Sequence, residues 1–96
     1  MNNRSRTDIA AHIIEAANGG ATKTRLMYKV YLSHQQLKEY LAILEENGLL
    51  TFDQTSATFR TTPKGHQFID TYNKLNELSG LAMIGSIQGR KLSTML

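Results

Sequence analysis

Residues 32–50, LSHQQLKEYLAILEENGLL, decide the fold. Ser33 and Gln36 stand in S-x-x-Q spacing. The serine hydroxyl can accept from the Gln36 backbone N–H while the glutamine side chain accepts from the Ser33 N–H, a capping box that starts a helix at a defined residue. Leu37, Leu41 and Leu44 follow at i, i+4 and i+7, flanked by Tyr40 and Ile43, so the expected apolar face has helical period and belongs against a core. The opposite face carries His34, Gln35, Lys38, Glu39 and Ala42. No acid stands in the first turn, and Glu45 and Glu46 come last, an order that opposes the usual preference of a helix dipole. Polar hydrogen-bonding groups at the N-terminal end and carboxylates at the far end suit a helix that enters a DNA groove N-terminus first. Asn47-Gly48 stops it, with a left-handed cap available at the glycine.

Outward from this stretch, composition sets limits. The chain has 96 residues, 41% of them hydrophobic, enough for one small core. It has no cysteine, hence no disulfide framework, thiolate metal site or cysteine nucleophile. No apolar run approaches the roughly 20 residues that cross a bilayer, and MNNRSRTD lacks the apolar centre of a signal peptide, so a cytoplasmic protein without a membrane is expected. Net charge is +3. From Arg4 to Lys38 the basic residues are Arg4, Arg6, Lys23, Arg25, Lys29 and Lys38 against the acids Asp8 and Glu15, so an anionic partner is expected on this part of the chain.

Residues 1–6 read as a flexible basic arm. Ser5 or Thr7 can cap a first helix to about Asn18, with Ile9, Ile13, Ala16 and Ala17 on one side, closed by Gly19-Gly20. Thr22 or Thr24 can begin a short second helix, TKTRLMYKV, apolar at Leu26, Met27 and Val30 and wet at Lys23, Arg25 and Lys29. Tyr31-Leu32 then connects it tightly to the capped helix, which makes a helix-turn-helix pattern. After Gly48 the period changes. Leu49, Leu50 and Phe52 lead into the polar turn Asp53-Gln54-Thr55-Ser56, and Thr58 to Thr62 return, which reads as a two-strand hairpin. Thr62 fits an N-cap with Pro63 at the first helical position. A last helix carries the stripe Phe68, Ile69, Tyr72, Leu75 and Leu78 to about Ser79.

Three helices, a two-strand wing and a C-terminal helix give the expected fold class: mainly α, α+β, a winged helix-turn-helix. The run GGATKTRLMYKVYLSHQQLKEYLAILEENGLL, followed by TPKG before an amphipathic helix, resembles the small archaeal winged-helix DNA-binding proteins, of which some are abundant in chromatin and some are called transcription regulators. The resemblance covers roughly residues 7–79. It implies that the helix from Ser33 enters the major groove, that the hairpin around Gln54 flanks it, and that two chains pair through the C-terminal helix. In such relatives the last helix is commonly long and forms an antiparallel coiled coil. Gly80, Gly85 and Gly89 depart from that pattern. The expected organisation is an arm (1–6), a winged helix-turn-helix domain (7–62) and a C-terminal helix and tail for homodimerisation (63–96).

Candidate DNA-binding residues follow. Ser33, His34, Gln35 and Lys38 occupy the helical turns that reach base edges, and Gln35 can bond adenine N6 and N7 together. Lys23, Arg25, Lys29 and Arg60 are assigned to phosphates, which a cation neutralises without reading sequence. The bland alternative for each is a solvated surface position. Phe68, Tyr72, Leu75, Leu78, Leu81, Ala82 and Ile84 are the expected dimer seam, offering more apolar surface than a small wing fold can cover. His12, His34 and His66 are isolated from one another, with no H-E-x-x-H pattern, so no metal is expected. Glu45-Glu46 point different ways on a helix, and Gly19-Gly20 lacks a following G-K-[ST], so neither an acid/base couple nor a phosphate loop is read, and no enzyme or cofactor is expected. Two other function classes are open: a winged helix that docks another protein on the same face, and a sensor with a small-molecule pocket between the last helix and its partner, its effector unnamed by the sequence.

Overall fold

The computed structural model describes residues 4–79, in the order α1 (Arg6–Ala16), α2 (Lys23–Val30), α3 (His34–Glu46), β1 (Leu50–Asp53), β2 (Thr58–Thr61), α4 (Pro63–Ser79). Each helix starts where a side-chain oxygen meets an orphan N–H. Ser5 caps α1 by a capping box: its Oγ accepts from the Asp8 N–H at 3.0 Å while Asp8 Oδ2 accepts from the Ser5 N–H at 3.4 Å. Arg6 is therefore already helical, so α1 begins inside the segment expected as an arm. Thr22, the earlier of the two threonines, caps α2 by accepting from the Arg25 N–H at 3.2 Å. Thr62 caps α4, accepting from the Gly65 N–H at 3.0 Å.

The connection from α2 to α3 is made by Tyr31, which adopts the left-handed conformation at φ 55° and returns its N–H to the carbonyl of Met27. Few side chains other than Gly, Asn or Asp sit there without cost. α3 then starts at the box read from the sequence, with Gln36 N–H to Ser33 Oγ at 3.1 Å and Ser33 N–H to Gln36 Oε1 at 3.0 Å. It ends at Asn47, followed by Gly48 at φ +73°.

β1 and β2 pair antiparallel, Leu50 opposite Thr61 and Phe52 opposite Phe59, with the two phenyl rings 4.8 Å apart. At the tip the Asp53 carboxylate accepts from the Thr55 N–H at 3.0 Å and the Ser56 hydroxyl at 3.1 Å, the local bonding that makes Asp a turn residue. Ala21 adds a backbone bridge outside the sequence reading: it exchanges two bonds with Phe59, at 3.0 and 2.8 Å. The wing is thereby stitched to the segment between α1 and α2.

The core gathers Ile13, Ile14, Ala17, Leu26, Val30, Leu37, Leu41, Leu44, Leu50 and Phe59. α3 presents its three leucines to this core as the spacing required. Ile43, expected beside that face, is 53% exposed, so the apolar stripe of α3 is narrower than the sequence suggests. In α1 the buried residues are Ala11, Ile13 and Ile14, while Ile9 and Ala16 are only half-buried. The reason is that α1 is sandwiched, packing on both α2 and α4, so adjacent isoleucines each find a partner and a single helical stripe does not describe it.

α4 divides along its length. Phe68 and Ile69 pack against the core, and the Tyr72 hydroxyl donates to Asp8 Oδ1, joining α4 to the cap of α1. Beyond that point Leu75 and Leu78 are 60% and 81% exposed. Leu81, Ala82 and Ile84, the rest of the expected seam, lie outside the described residues.

The tyrosine bond holds the Asp8 carboxyl below the usual carboxylate range, and the carboxylate in turn raises the Tyr72 hydroxyl. A carboxylate depressed by folding contributes stability that is present above its unfolded pKa, about 3.9, and lost as pH falls through its folded value. Tyr72→Phe should therefore lower stability at neutral pH and flatten the loss of stability on acidification below about pH 4. Urea midpoints for both proteins at about pH 6 and about pH 3 check this; equal differences at the two values would contradict it.

Candidate nucleic-acid interface

The outer face of α3 is built from the inside. With Leu37, Leu41 and Leu44 held in the core, the 3.6-residue turn sends His34, Gln35, Lys38, Glu39 and Ala42 outward, and all five are exposed. Ser33 is exposed as well, but its oxygen holds the Gln36 N–H, so its observed work is to fix where the face begins. Gln35 Nε2 donates to Glu39 Oε2 at 3.3 Å, one turn along. The sequence places Glu39 on this outward face without pairing it. The i, i+4 spacing of Gln and Glu is the signal that would have found the pair.

Charge is divided between the two helices of the motif. α2 holds Lys23, Arg25 and Lys29 with no acid, whereas α3 holds Lys38 against Glu39, Glu45 and Glu46. Arg25 and Lys29 are exposed and Lys23 half-buried. Lys29 sits at the rim of an open hollow of about 610 Å³ that it shares with His12, Glu15, Ala16, Tyr28, Val30 and Tyr31. Tyr28 and Tyr31 are 73% and 83% exposed; the sequence marks Tyr31 as a connection and gives neither a binding role.

Arg60 comes from the wing but lies over the turn that leads into α2. Its Nη1 donates to the Gly19 carbonyl at 3.4 Å, and a Cβ placed on Gly20 would stand 3.3 Å from its Cζ. The structure thus places Arg60 beside the glycine turn, with part of its donor capacity spent within the chain.

The far end of α3 is gripped by the start of α4. Lys64 Nζ donates to the Asn47 carbonyl at 2.8 Å and Thr62 Oγ1 to the Gly48 carbonyl at 2.6 Å, which satisfies backbone acceptors left over at a helix end. The neighbouring Thr61 Oγ1 donates to the Ile14 carbonyl at 2.5 Å. These contacts give the TPKG motif its physical content: threonine and lysine clasp the exit of α3, proline opens α4, and glycine allows close approach.

Of the expected dimer residues, Phe68 and Tyr72 are half-buried against their own chain with their rings stacked 6.4 Å apart, so Leu75 and Leu78 are the described members left uncovered. Among the described residues no group of three or more His, Cys, Asp or Glu could hold a metal ion, and no helix is long and apolar enough to cross a membrane.

A family model described as winged helix-turn-helix matches residues 3–80. No curated protein matches the chain. Domains of the matched kind are typically DNA-binding and not enzymatic.

Gly65 offers a test of the clasp. A Cβ there would fall 2.4 Å from the Leu49 carbonyl oxygen and 2.7 Å from Thr61 Cγ2. Gly65→Ala should cost about 1–3 kcal/mol, as overpacking does, despite the better helix propensity of alanine. A denaturation midpoint equal to or above the parent's would show that the clasp yields freely.

Proposed function

We propose, for a chain that belongs to the winged helix-turn-helix family, a role as a DNA-binding regulator of transcription or chromatin protein that sets α3 in the major groove. The observation that carries this is the division of labour between adjacent helices. α2 shows an unopposed basic face suited to phosphates, while α3 shows short-range hydrogen-bonding groups suited to base edges. In this reading Lys23, Arg25 and Lys29 neutralise backbone charge, Arg60 joins them from beside the glycine turn, and His34, Gln35 and Lys38 face the bases, with Ser33 positioning them. The chain works as a homodimer, in the manner of the small archaeal proteins it resembles. Leu75 and Leu78 begin a seam that burying a second copy would dry.

A second reading is docking of another protein on the α3 face. Ile43 at 53% and Phe52 at 40% exposure favour it, since both put apolar area at the surface on or next to the recognition helix. The basic face of α2 favours DNA.

Titration with duplex DNA at several salt concentrations should show affinity falling by about 0.9 log units per log unit of salt for each phosphate neutralised. The double variant Arg25→Glu, Lys38→Glu should lose the complex at every salt while keeping its circular dichroism. A variant that shifts duplex like the parent would overturn the proposal. Separately, light scattering at micromolar concentration should report a dimer, and Leu75→Glu with Leu78→Glu should report a folded monomer; a monomeric parent would refute the seam.

A further inference from the structure

The acidic character of α3 has a use if bases, and not phosphates, lie opposite it. Within α3 one lysine faces three glutamates. Beside the phosphate walls of a groove each carboxylate is repelled, so one on the outward strip is an expense unless something in the groove donates to it. Glu39 is on that strip. It is exposed, it follows Gln35 by one turn, and it precedes Ala42, whose short side chain leaves the next turn low. Its Oε2 takes an N–H from Gln35 at 3.3 Å, which links the two side chains one turn apart on the same helix; Gln35 does not engage Oε1.

Donors on the floor of the major groove are few: the N4 amino group of cytosine and the N6 amino group of adenine. Adenine presents its amino group next to the N7 acceptor, which a carboxylate opposes and which the glutamine amide matches. Cytosine offers an amino donor with no acceptor of its own on that edge. On these grounds we infer that Glu39 reads cytosine through its amino group, with Gln35 held beside it for a neighbouring base. This makes the chain a sequence-selective binder and not an indifferent coating of DNA. The inference rests on the proposal that α3 enters the major groove.

The experiment is a selection from random duplex DNA, run in parallel on the full chain and on Glu39→Gln, with Glu39→Ala as a third arm. Residue 39 is exposed, so all three should give the same circular dichroism. The parent should enrich a motif with cytosine dominant at one position, by roughly five- to hundredfold over other bases. Glu39→Gln should lose that preference at that position alone, shifting it toward adenine. Glu39→Ala should flatten it and bind unselected duplex more tightly than the parent, because a repelled charge is gone. Identical motifs from parent and both variants would overturn the role of Glu39 while leaving DNA binding intact. Salt-dependent binding by the parent with no enriched motif would overturn it too. A parent that binds no duplex at all would overturn the function itself and this inference with it.

Discussion

Everything in this small fold leans on the seam where Leu37, Leu41 and Leu44 of α3 press into Ile13, Ile14, Leu26, Val30, Leu50 and Phe59. A chain of this size has one core, and with no cysteine it has no covalent brace. A domain's whole stability is about 5–15 kcal/mol, and emptying one buried leucine site costs about 2–5 kcal/mol, so few of these contacts are spare. Among the described residues the buried core is hydrophobic, with no buried polar or charged residue. The polar groups on the outer face of α3 thus stand at the surface, turned outward without weakening what holds α3 in place.

The parts of the fold that were legible in the sequence are those governed by neighbours along the chain. Ser33 with Gln36, Thr22, Thr62 before Pro63, and Gly48 each act within four residues, and each stands where local chemistry puts it. The helical leucines of α3 were legible for the same reason. What a local reading misses depends on distant partners. Ile14 is buried because α1 is covered on two sides, Ile43 is left out because nothing reaches over it, and Ala21 pairs with Phe59 across 38 positions. Of the candidate site, the residues on α2 and α3 were visible from helical spacing. The tether of Arg60 to Gly19 and the clasp by Lys64 were not, since both join segments that periodicity treats separately.

The division of charge between α2 and α3 is also a matter of position in the fold. Helix dipoles favour acids at the start and bases at the end. α2 follows half of that rule, with Lys29 in its last turn, and α3 follows neither half, with no acid in its first turn and none of its bases in its last. α4 likewise has no acid in its first turn and no base in its last, so the dipole rule, worth a few tenths of a kcal/mol at each end, is not what places charge in this fold. The capping box at Ser33 offsets part of that loss, which is why α3 begins crisply despite an unfavourable charge order.

The clasp between Thr62, Lys64 and the end of α3 carries a mechanical consequence. Two carbonyls at the exit of one helix are held by side chains at the entry of another, with Gly65 set close to the Leu49 carbonyl just before β1. The exit of α3 is thereby tied by side-chain hydrogen bonds to the entry of α4. Thr62 therefore serves two helices at once, capping the start of α4 and binding a carbonyl just past the end of α3.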